Sequence, residues 1–137
     1  MKKLKLLYLS LAAFMLPLPL PATGLDGSAQ LLCATIDAIE CDGLSGECYV
    51  GTAETVNLAQ FVRIDLKEKK IEAVKQGGKS LSSTIMNHQR ENGKLILQGI
   101  EDGRGWSLVI VEETGKMSAT IAGDQVGFVV FGNCTTL

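Results

Sequence analysis

Histidine is the side chain most often used as a general acid or base near neutral pH, and the chain has one, His88. It stands in the polar run Asn-His-Gln-Arg, which is typical of a solvent-facing strand residue. A catalytic role would require a carboxylate from a neighbouring strand, for example Asp65 or Glu72. No serine occupies a Gly-x-Ser-x-Gly turn, and no glycine-rich segment leads into a helix that could receive a phosphate. We therefore predict that the protein is not an enzyme and binds no cofactor.

A binding site is more plausible in the segment Glu-Asp-Gly-Arg-Gly-Trp at residues 101–106, which combines a turn, both charge signs and the only tryptophan. Tryptophan and arginine are enriched at binding hot spots, so Asp102, Arg104 and Trp106 are candidates for a binding surface. The alternative is that Trp106 anchors the core from a strand face that it shares with Leu108 and Ile110. We favour this second interpretation because a large aromatic ring buries so much apolar area.

The start of the chain has the three parts of a secretory signal peptide. Three lysines at positions 2, 3 and 5 precede an apolar run over residues 6–16, and three prolines and a set of small residues follow. The run is too short to span a bilayer as a helix. We predict export to the periplasm or the cell exterior, with cleavage after Gly24 or alternatively after Ala29. A single domain over residues 25–137 would remain, with no stable membrane insertion.

All four cysteines, Cys33, Cys41, Cys48 and Cys134, follow this signal. An even number of cysteines in an exported chain predicts two disulfides, for which three connectivities are possible. Zinc coordination is the alternative, but the chain has no Cys-x-x-Cys pair and its one histidine is far from every cysteine in sequence. We therefore predict disulfides and no metal site.

The elements that hold these residues are predicted to be β-strands throughout. Hydrophobic and polar residues alternate over residues 61–66 and 106–112, which is the pattern of half-buried strands. Turn signals recur every 8 to 12 residues, among them Asn92-Gly93, and no amphipathic segment has the length of a helix. Residues 48–60 are less regular, and we predict mostly loop there, with one helical turn over residues 52–58 as an alternative for that part. The pattern favours an all-β antiparallel meander of about eight strands that forms a closed or partly open barrel, with a two-sheet sandwich as the alternative.

The barrel in turn favours one disulfide connectivity. Cys41 and Cys48 bracket a turn-rich stretch and can meet across a short loop. In an even-stranded barrel the first and last strands are antiparallel neighbours, which brings Cys33 beside Cys134, whereas Cys41 would lie roughly 26 Å along the first strand at 3.3 Å per residue. We therefore predict the pairs Cys33–Cys134 and Cys41–Cys48.

The charge balance excludes one class of partner. The full chain has 13 basic and 15 acidic residues, and loss of the first three lysines leaves 10 against 15, a net charge of −5 after cleavage at Gly24. Cleavage at Ala29 also removes Asp26 and gives −4. Because no basic stripe remains, nucleic acid is not expected as a partner.

Three segments resemble those of small uncharacterised exported proteins of proteobacteria: Arg-Gly-Trp-Ser-Leu at 104–108, Thr-Gly-Lys-Met at 114–117 and Phe-Gly-Asn-Cys at 131–134. The resemblance covers most of the chain after the signal and implies a periplasmic or secreted bacterial protein, without implying an activity. Size, export signal and disulfides are also loosely similar to those of periplasmic β-barrels that inhibit lysozyme. None of their inhibitory residues is matched at a position of this sequence.

These observations favour a non-enzymatic binding or interaction module whose partner is another protein or a small ligand. The alternatives are a periplasmic inhibitor of a cell-envelope hydrolase and an enzyme of a type that the sequence does not reveal. A barrel with an internal apolar cavity would indicate a small ligand, and a filled barrel with a protruding loop would indicate a protein partner.

Overall fold

The computed structural model describes residues 24–74 and 80–137. The predicted signal segment up to position 23 and the predicted turn at 76–79 therefore lie outside the described residues. The described residues form nine β-strands and no helix. The strands are β1 (Leu31–Asp42), β2 (Cys48–Gly51), β3 (Phe61–Asp65), β4 (Lys70–Val74), β5 (Ser80–Glu91), β6 (Lys94–Glu101), β7 (Arg104–Val111), β8 (Lys116–Ala122) and β9 (Val126–Thr136).

Eight of these strands close into an antiparallel barrel. From β3 to β9 each strand pairs with the next along the chain, β1 pairs with β3, and β1 also pairs with β9 from Leu31↔Thr136 to Asp42↔Val126. Closure gives every barrel strand two neighbours over at least part of its length and removes the long exposed edges of an open sheet. The prediction of a closed antiparallel barrel is confirmed, and the two-sheet alternative is wrong.

The ninth strand, β2, is an addition that the sequence did not predict. One edge of β1 is shared between two partners, since Leu31–Ala34 pairs with β3 and Ala38–Cys41 pairs with β2. The prediction of mostly loop for residues 48–60 is therefore wrong for Cys48–Gly51, which form a short strand. All four residues are exposed or half-buried, so no alternation of buried and exposed positions marks them as a strand.

The barrel interior is filled by side chains from all around the sheet. The largest side chains that are almost completely buried are, in chain order, Leu31, Cys33, Ile64, Ile85, Leu95, Leu97 and Ile110. They belong to one hydrophobic cluster, which half-buried residues such as Trp106 and Ile121 extend. No buried side-chain polar atom of the described residues lacks a hydrogen-bond partner.

Both predicted disulfides are present. Cys33 and Cys134 face each other across β1 and β9 with 3.9 Å between their Cα atoms, and Cys41 and Cys48 face each other across β1 and β2 with 4.1 Å. The first bond joins the first strand to the last across the barrel seam, and the second joins the two strands of a hairpin. Two such bonds with no free cysteine among the described residues are typical of proteins in an oxidising environment.

The two ends of the barrel are covered differently. At one end, which we call the Leu25 end, residues 24–30 cross the opening and bury Leu25 in the core. A Cβ on Gly27 would lie 2.0 Å from the side chain of Leu66, which shows how closely this segment approaches the barrel. At the opposite end, the hairpin end, residues 52–58 make one helix-like turn that places Val56 in the core, with hydrogen bonds from Val56 N to Thr52 O and from Leu58 N to Ala53 O.

Candidate functional site

The most prominent surface feature is the hairpin that β1 and β2 form over residues 38–51, which we call the disulfide hairpin. Its turn is held by Asp42, whose Oδ1 accepts hydrogen bonds from the backbone N–H groups of Leu44 (2.7 Å) and Ser45 (2.9 Å). Gly46 has a positive φ of 73° and donates its N–H to Asp42 O. Together with the Cys41–Cys48 bond, these contacts fix the conformation of the hairpin.

The carboxylate of Asp42 is stabilised in its ionised form by this turn. The backbone N–H groups of Ser45 and Leu44 lower the pKa of Asp42 below its ordinary value. The hydrogen bonds of the turn therefore favour the negatively charged form of Asp42.

Three large apolar side chains of the disulfide hairpin are exposed to solvent: Leu44 by 76%, Tyr49 by 60% and Val50 by 79%. Tyr49 and Val50 are adjacent in a strand, so they project on opposite sides of the hairpin. The hydroxyl of Tyr49 donates to Glu47 Oε2 at 2.9 Å, which orients the ring. Single exposed apolar residues are ordinary on protein surfaces, but here three lie on one short, fixed hairpin, on its two sides and at its tip.

The outer edge of β2 is the remaining open edge of this hairpin. In the part of the chain that the structure describes, β2 pairs with β1 alone and ends the strand order of the sheet. Open edges with unpaired backbone groups are places where other chains can associate. At four residues β2 is too short for extensive strand addition, so side chains must provide most of any contact.

The turn between β6 and β7 holds the residues that the sequence suggests for binding. Asp102 (φ 49°) and Gly103 (φ 75°) form a tight hairpin turn, and Asp102 and Arg104 are exposed. The Arg104 side chain lies over Gly123, where a Cβ would come within 2.9 Å of its Cγ. Trp106 differs from them in exposure, because it is half-buried against the core.

Trp106 is half-buried on the inner face of β7 and packs against the hydrophobic core. Its Nε1 donates a hydrogen bond to Ser83 Oγ at 2.9 Å, and Ser83 is itself buried. The indole occupies the space above Gly99 on the neighbouring strand, where a Cβ would lie 2.3 Å from the ring atom Cζ2. These contacts are those of a residue that anchors the rim of the core.

A second apolar surface lies on the outside of the barrel wall. Phe131 on β9 and Ile36, the extra residue of a β-bulge in β1, are both about half exposed and border a shallow groove that Val109 and Val111 also line. The strand that contains Phe131 is apolar on both faces, and its inward residues, such as Phe128, are buried in the core. The groove is open to solvent, and its lining also includes the charged residues Asp37, Lys94 and Lys116.

His88 is exposed on β5, and neither of the two acids suggested by the sequence pairs with it. Asp65 accepts hydrogen bonds from Gln30 Nε2 and from the backbone of the β3–β4 turn, which lower its pKa. Glu72 interacts with Lys70 and Arg63 instead. The arrangement that a histidine general base would need is therefore not formed by these three residues.

Metal coordination has no support among residues 24–74 and 80–137. No group of three or more histidine, cysteine, aspartate or glutamate side chains in these ranges is placed to hold a metal ion. The same part of the chain contains no helix with the length and hydropathy needed to cross a membrane.

The disulfide hairpin is only partly visible in the sequence. The cysteine spacing and the turn residues identify the loop, but nothing marks Leu44, Tyr49 and Val50 as exposed. The one signal is their position beside Asp, Gly and Ser residues within or next to a segment bounded by two cysteines. No protein-family model matches the chain. No curated protein shows significant sequence similarity to it.

Proposed function

We propose that this protein is an exported, non-enzymatic interaction module that binds a protein partner through the disulfide hairpin. The observation that carries the proposal is the contrast between a barrel interior filled by side chains and a fixed hairpin with three exposed apolar residues. A barrel that binds a small ligand needs an internal cavity with a few converging polar groups.

Three properties of the hairpin support a role in protein recognition. Tyrosine is among the residues most enriched at binding hot spots, and Tyr49 is the exposed aromatic residue of β2. The disulfide and the Asp42 turn fix the hairpin before binding, which lowers the conformational entropy lost on association. The outer edge of β2 also pairs with no other described strand.

Export is part of the proposal and rests on the signal-like start of the chain and the two disulfides. Of the two cleavage points, the one after Gly24 leaves Leu25 in place over the end of the barrel, whereas the one after Ala29 removes it. We therefore expect the protein recovered from its native host to begin at Leu25. Mass spectrometry of the intact chain decides this, and a protein that still starts at Met1 would contradict export with cleavage.

Site-specific photocrosslinking tests the interaction itself. A benzoylphenylalanine replaces Tyr49 in one strain and Met86 in a matched strain, since Met86 is equally accessible (67% exposed) but lies on β5, away from the hairpin. Irradiation of cells should give one discrete adduct from position 49 and none from position 86. Equal adducts from both positions, or none from position 49, would contradict the proposal.

Native mass spectrometry distinguishes the proposal from small-ligand binding. The protein purified from its host under mild conditions should have the mass of the processed, doubly oxidised chain alone. A bound small molecule in a one-to-one ratio would favour a ligand-binding module instead.

Inhibition of a cell-envelope hydrolase is a second candidate, which the fixed, projecting hairpin favours because a rigid exposed segment is well suited to occupy another protein's cleft. Addition of the purified protein to a peptidoglycan lysis assay with host envelope extract tests it. Dose-dependent slowing that disappears in the variant Tyr49→Ser/Val50→Ser would support inhibition.

A further inference from the structure

We infer that the partner of the disulfide hairpin is a basic protein, which places lysine and arginine side chains around an apolar contact with Tyr49 and Val50. The inference rests on the proposed function and adds the chemistry of the partner. It is carried by the exposed apolar residues of a hairpin whose outer strand has one open edge, together with the negative charge of the hairpin and of the described elements beside it.

The segment that contains the hairpin has charge of a single sign. Residues 24–62 include six acidic residues and no lysine or arginine. Four of the acids lie on the hairpin or on the turn that follows it: Glu40, Asp42, Glu47 and Glu54. A partner that covers Tyr49 and Val50 must therefore approach these carboxylates closely.

The elements beside the hairpin add little positive charge. The strand β9, which pairs with β1 along its whole length, has no charged residue. The β8–β9 turn contacts the tip of the hairpin through a hydrogen bond from Gly43 N to Gln125 O and adds one more acid, Asp124. Arg104 is a cation next to that turn, and its side chain packs over Gly123.

Charge complementarity therefore selects the partner. Close approach of like charges costs free energy, while an opposite charge within a Debye length of about 8 Å at physiological ionic strength speeds association and fixes its orientation. An acidic or neutral partner would leave the hairpin carboxylates facing carboxylates or unpaired in the contact. A second copy of this chain is disfavoured for the same reason, because edge-to-edge pairing of two β2 strands would bring two acidic hairpins together.

The shape of the hairpin restricts the partner further. Tyr49 and Val50 point to opposite sides, and Leu44 is at the tip, so a flat surface can cover only one of the three apolar groups well. A recess that receives the tip and both sides covers all three. The partner surface is therefore a recess with an apolar floor and a rim of lysine or arginine.

Two matched triple variants test the charge. Glu40→Gln/Glu47→Gln/Glu54→Gln removes three negative charges from the hairpin and from the turn that follows it, and the crosslinker occupies position 49 in both variants. Glu68→Gln/Glu91→Gln/Glu113→Gln changes the net charge equally at exposed positions outside the hairpin. Asp42 is left unchanged because it holds the turn. Circular dichroism melting first establishes that both variants fold.

The first readout is the yield of the position-49 photoadduct from host envelope extract, measured at low salt and at about tenfold higher salt. The second is the isoelectric point of the adducted partner. We expect a yield about tenfold lower at high salt, a similar loss in the hairpin variant at low salt, and less than about twofold change in the other variant. The partner should be basic. An adduct that is indifferent to salt and to the hairpin charges, or an acidic partner, overturns the inference and leaves the proposed function intact, whereas the absence of any adduct overturns both.

Deca-lysine provides a charge probe that does not depend on the host partner. In NMR titrations it should shift the backbone amides of residues 37–54 more than those at the Leu25 end, and the hairpin variant should abolish this preference. Shifts distributed evenly over the acidic residues of the whole surface would contradict a focused acidic docking surface.

Discussion

The two ends of the barrel differ in the exposure of their apolar residues and in their charge. At the Leu25 end the chain covers its own opening, with Leu25 only 7% exposed, and acids and bases alternate, as in the ion pair of Arg90 with Glu112. At the hairpin end residues 52–58 bury Val56, and β2 lies outside the barrel and exposes Tyr49 and Val50 among acidic residues. The comparison shows that a closed barrel needs apolar residues to cover its openings. Apolar residues that do not serve this purpose remain exposed and are available for contact with a partner.

The two disulfides show the same division. Both join residues that face each other across antiparallel strands, yet Cys33 and Cys134 are buried, 101 residues apart, while Cys48 is exposed and only 7 residues from Cys41. A crosslink stabilises mainly by restricting the unfolded chain, and this effect grows with the length of the loop. The buried bond therefore serves the stability of the whole barrel, and the exposed bond serves the shape of the hairpin.

Removal of the buried disulfide is the largest effect that we expect. Cys33→Ala/Cys134→Ala should lower the free energy of unfolding by about 4 to 5 kcal/mol in the chain-entropy model, and Cys41→Ala/Cys48→Ala by about 2 kcal/mol. Urea denaturation measures both. Equal losses would break the comparison, since they would make the hairpin as important for global stability as the seam.

Truncation of Trp106 tests how far the core extends towards the hairpin end. Because the ring is half-buried and fills the space above Gly99, Trp106→Ala should lower the free energy of unfolding by about 3 kcal/mol. Trp106→Phe keeps most of the ring but loses the hydrogen bond to Ser83, which should cost about 1 kcal/mol. The single tryptophan should fluoresce at shorter wavelength in the native state than in urea. A normal stability for Trp106→Ala would return Trp106 to the list of binding residues.

A matched pair of leucines compares the two ends directly. Leu25→Ala removes a buried side chain from the seal and should lower the free energy of unfolding by about 2 kcal/mol. Leu44→Ala removes an exposed side chain from the hairpin and should change it by less than about 0.5 kcal/mol. Thermal melts of the two variants provide the measurement. A large loss for Leu44→Ala would mean that the hairpin packs on the barrel in solution.

Acidification should lower the stability of the protein. We expect the effect to be small for the carboxyl of the hairpin and larger for the carboxyl at the Leu25 end. The hydrogen bond from Arg90 lowers the pKa of Glu112, and the turn N–H groups lower that of Asp42. A carboxyl whose pKa is lower in the folded state stabilises folding above its ordinary pKa, and this contribution is lost as the pH falls through the folded-state pKa. We therefore expect the melting temperature to be level at neutral pH and to fall below about pH 4.

The two carboxyls can be separated by substitution. Glu112→Gln should flatten the acid dependence of the melting temperature, because Arg90 joins two hairpins through this carboxylate. Asp42→Asn should instead increase hydrogen exchange at Leu44 and Ser45 alone. The reverse pattern would contradict the assignment of global stability to the Leu25 end.

The sequence predicts the parts of the molecule that repeat a simple pattern. Alternation over residues 106–112 places Trp106, Leu108 and Ile110 on the inner face of β7, and the order of the strands places Cys33 beside Cys134. Both predictions are confirmed because period-two alternation and chain order determine them directly. Residues 48–51 escape prediction because a strand with neither face buried has no alternation to reveal it.

The candidate site is harder to predict than the fold. Asp102, Arg104 and Trp106 stand out by their residue types, yet Trp106 faces the core and the other two form an exposed turn. The hairpin is recognisable in the sequence only as a disulfide loop. The exposure of its side chains depends on which parts of β1 pair with β2 and which pair with β3. Tertiary contacts determine this strand pairing, and the local sequence does not reveal it.

The β1–β9 seam also has a consequence for the order in which the molecule can form. The other barrel pairings from β3 to β9 join strands that follow one another in the chain, but the seam joins the first strand to the last, and its two bonded cysteines are 101 residues apart. Non-local pairings form slowly, because the entropy of closing a long loop is lost before any contact compensates for it. A chain still being synthesised has β1 with no β9 to pair with, and it remains an open, twisted sheet until the 11 residues of β9 arrive. A chain shortened before Val126 lacks β9 and is therefore expected to leave β1 and β8 without their partner at an open seam, rather than to form a smaller barrel.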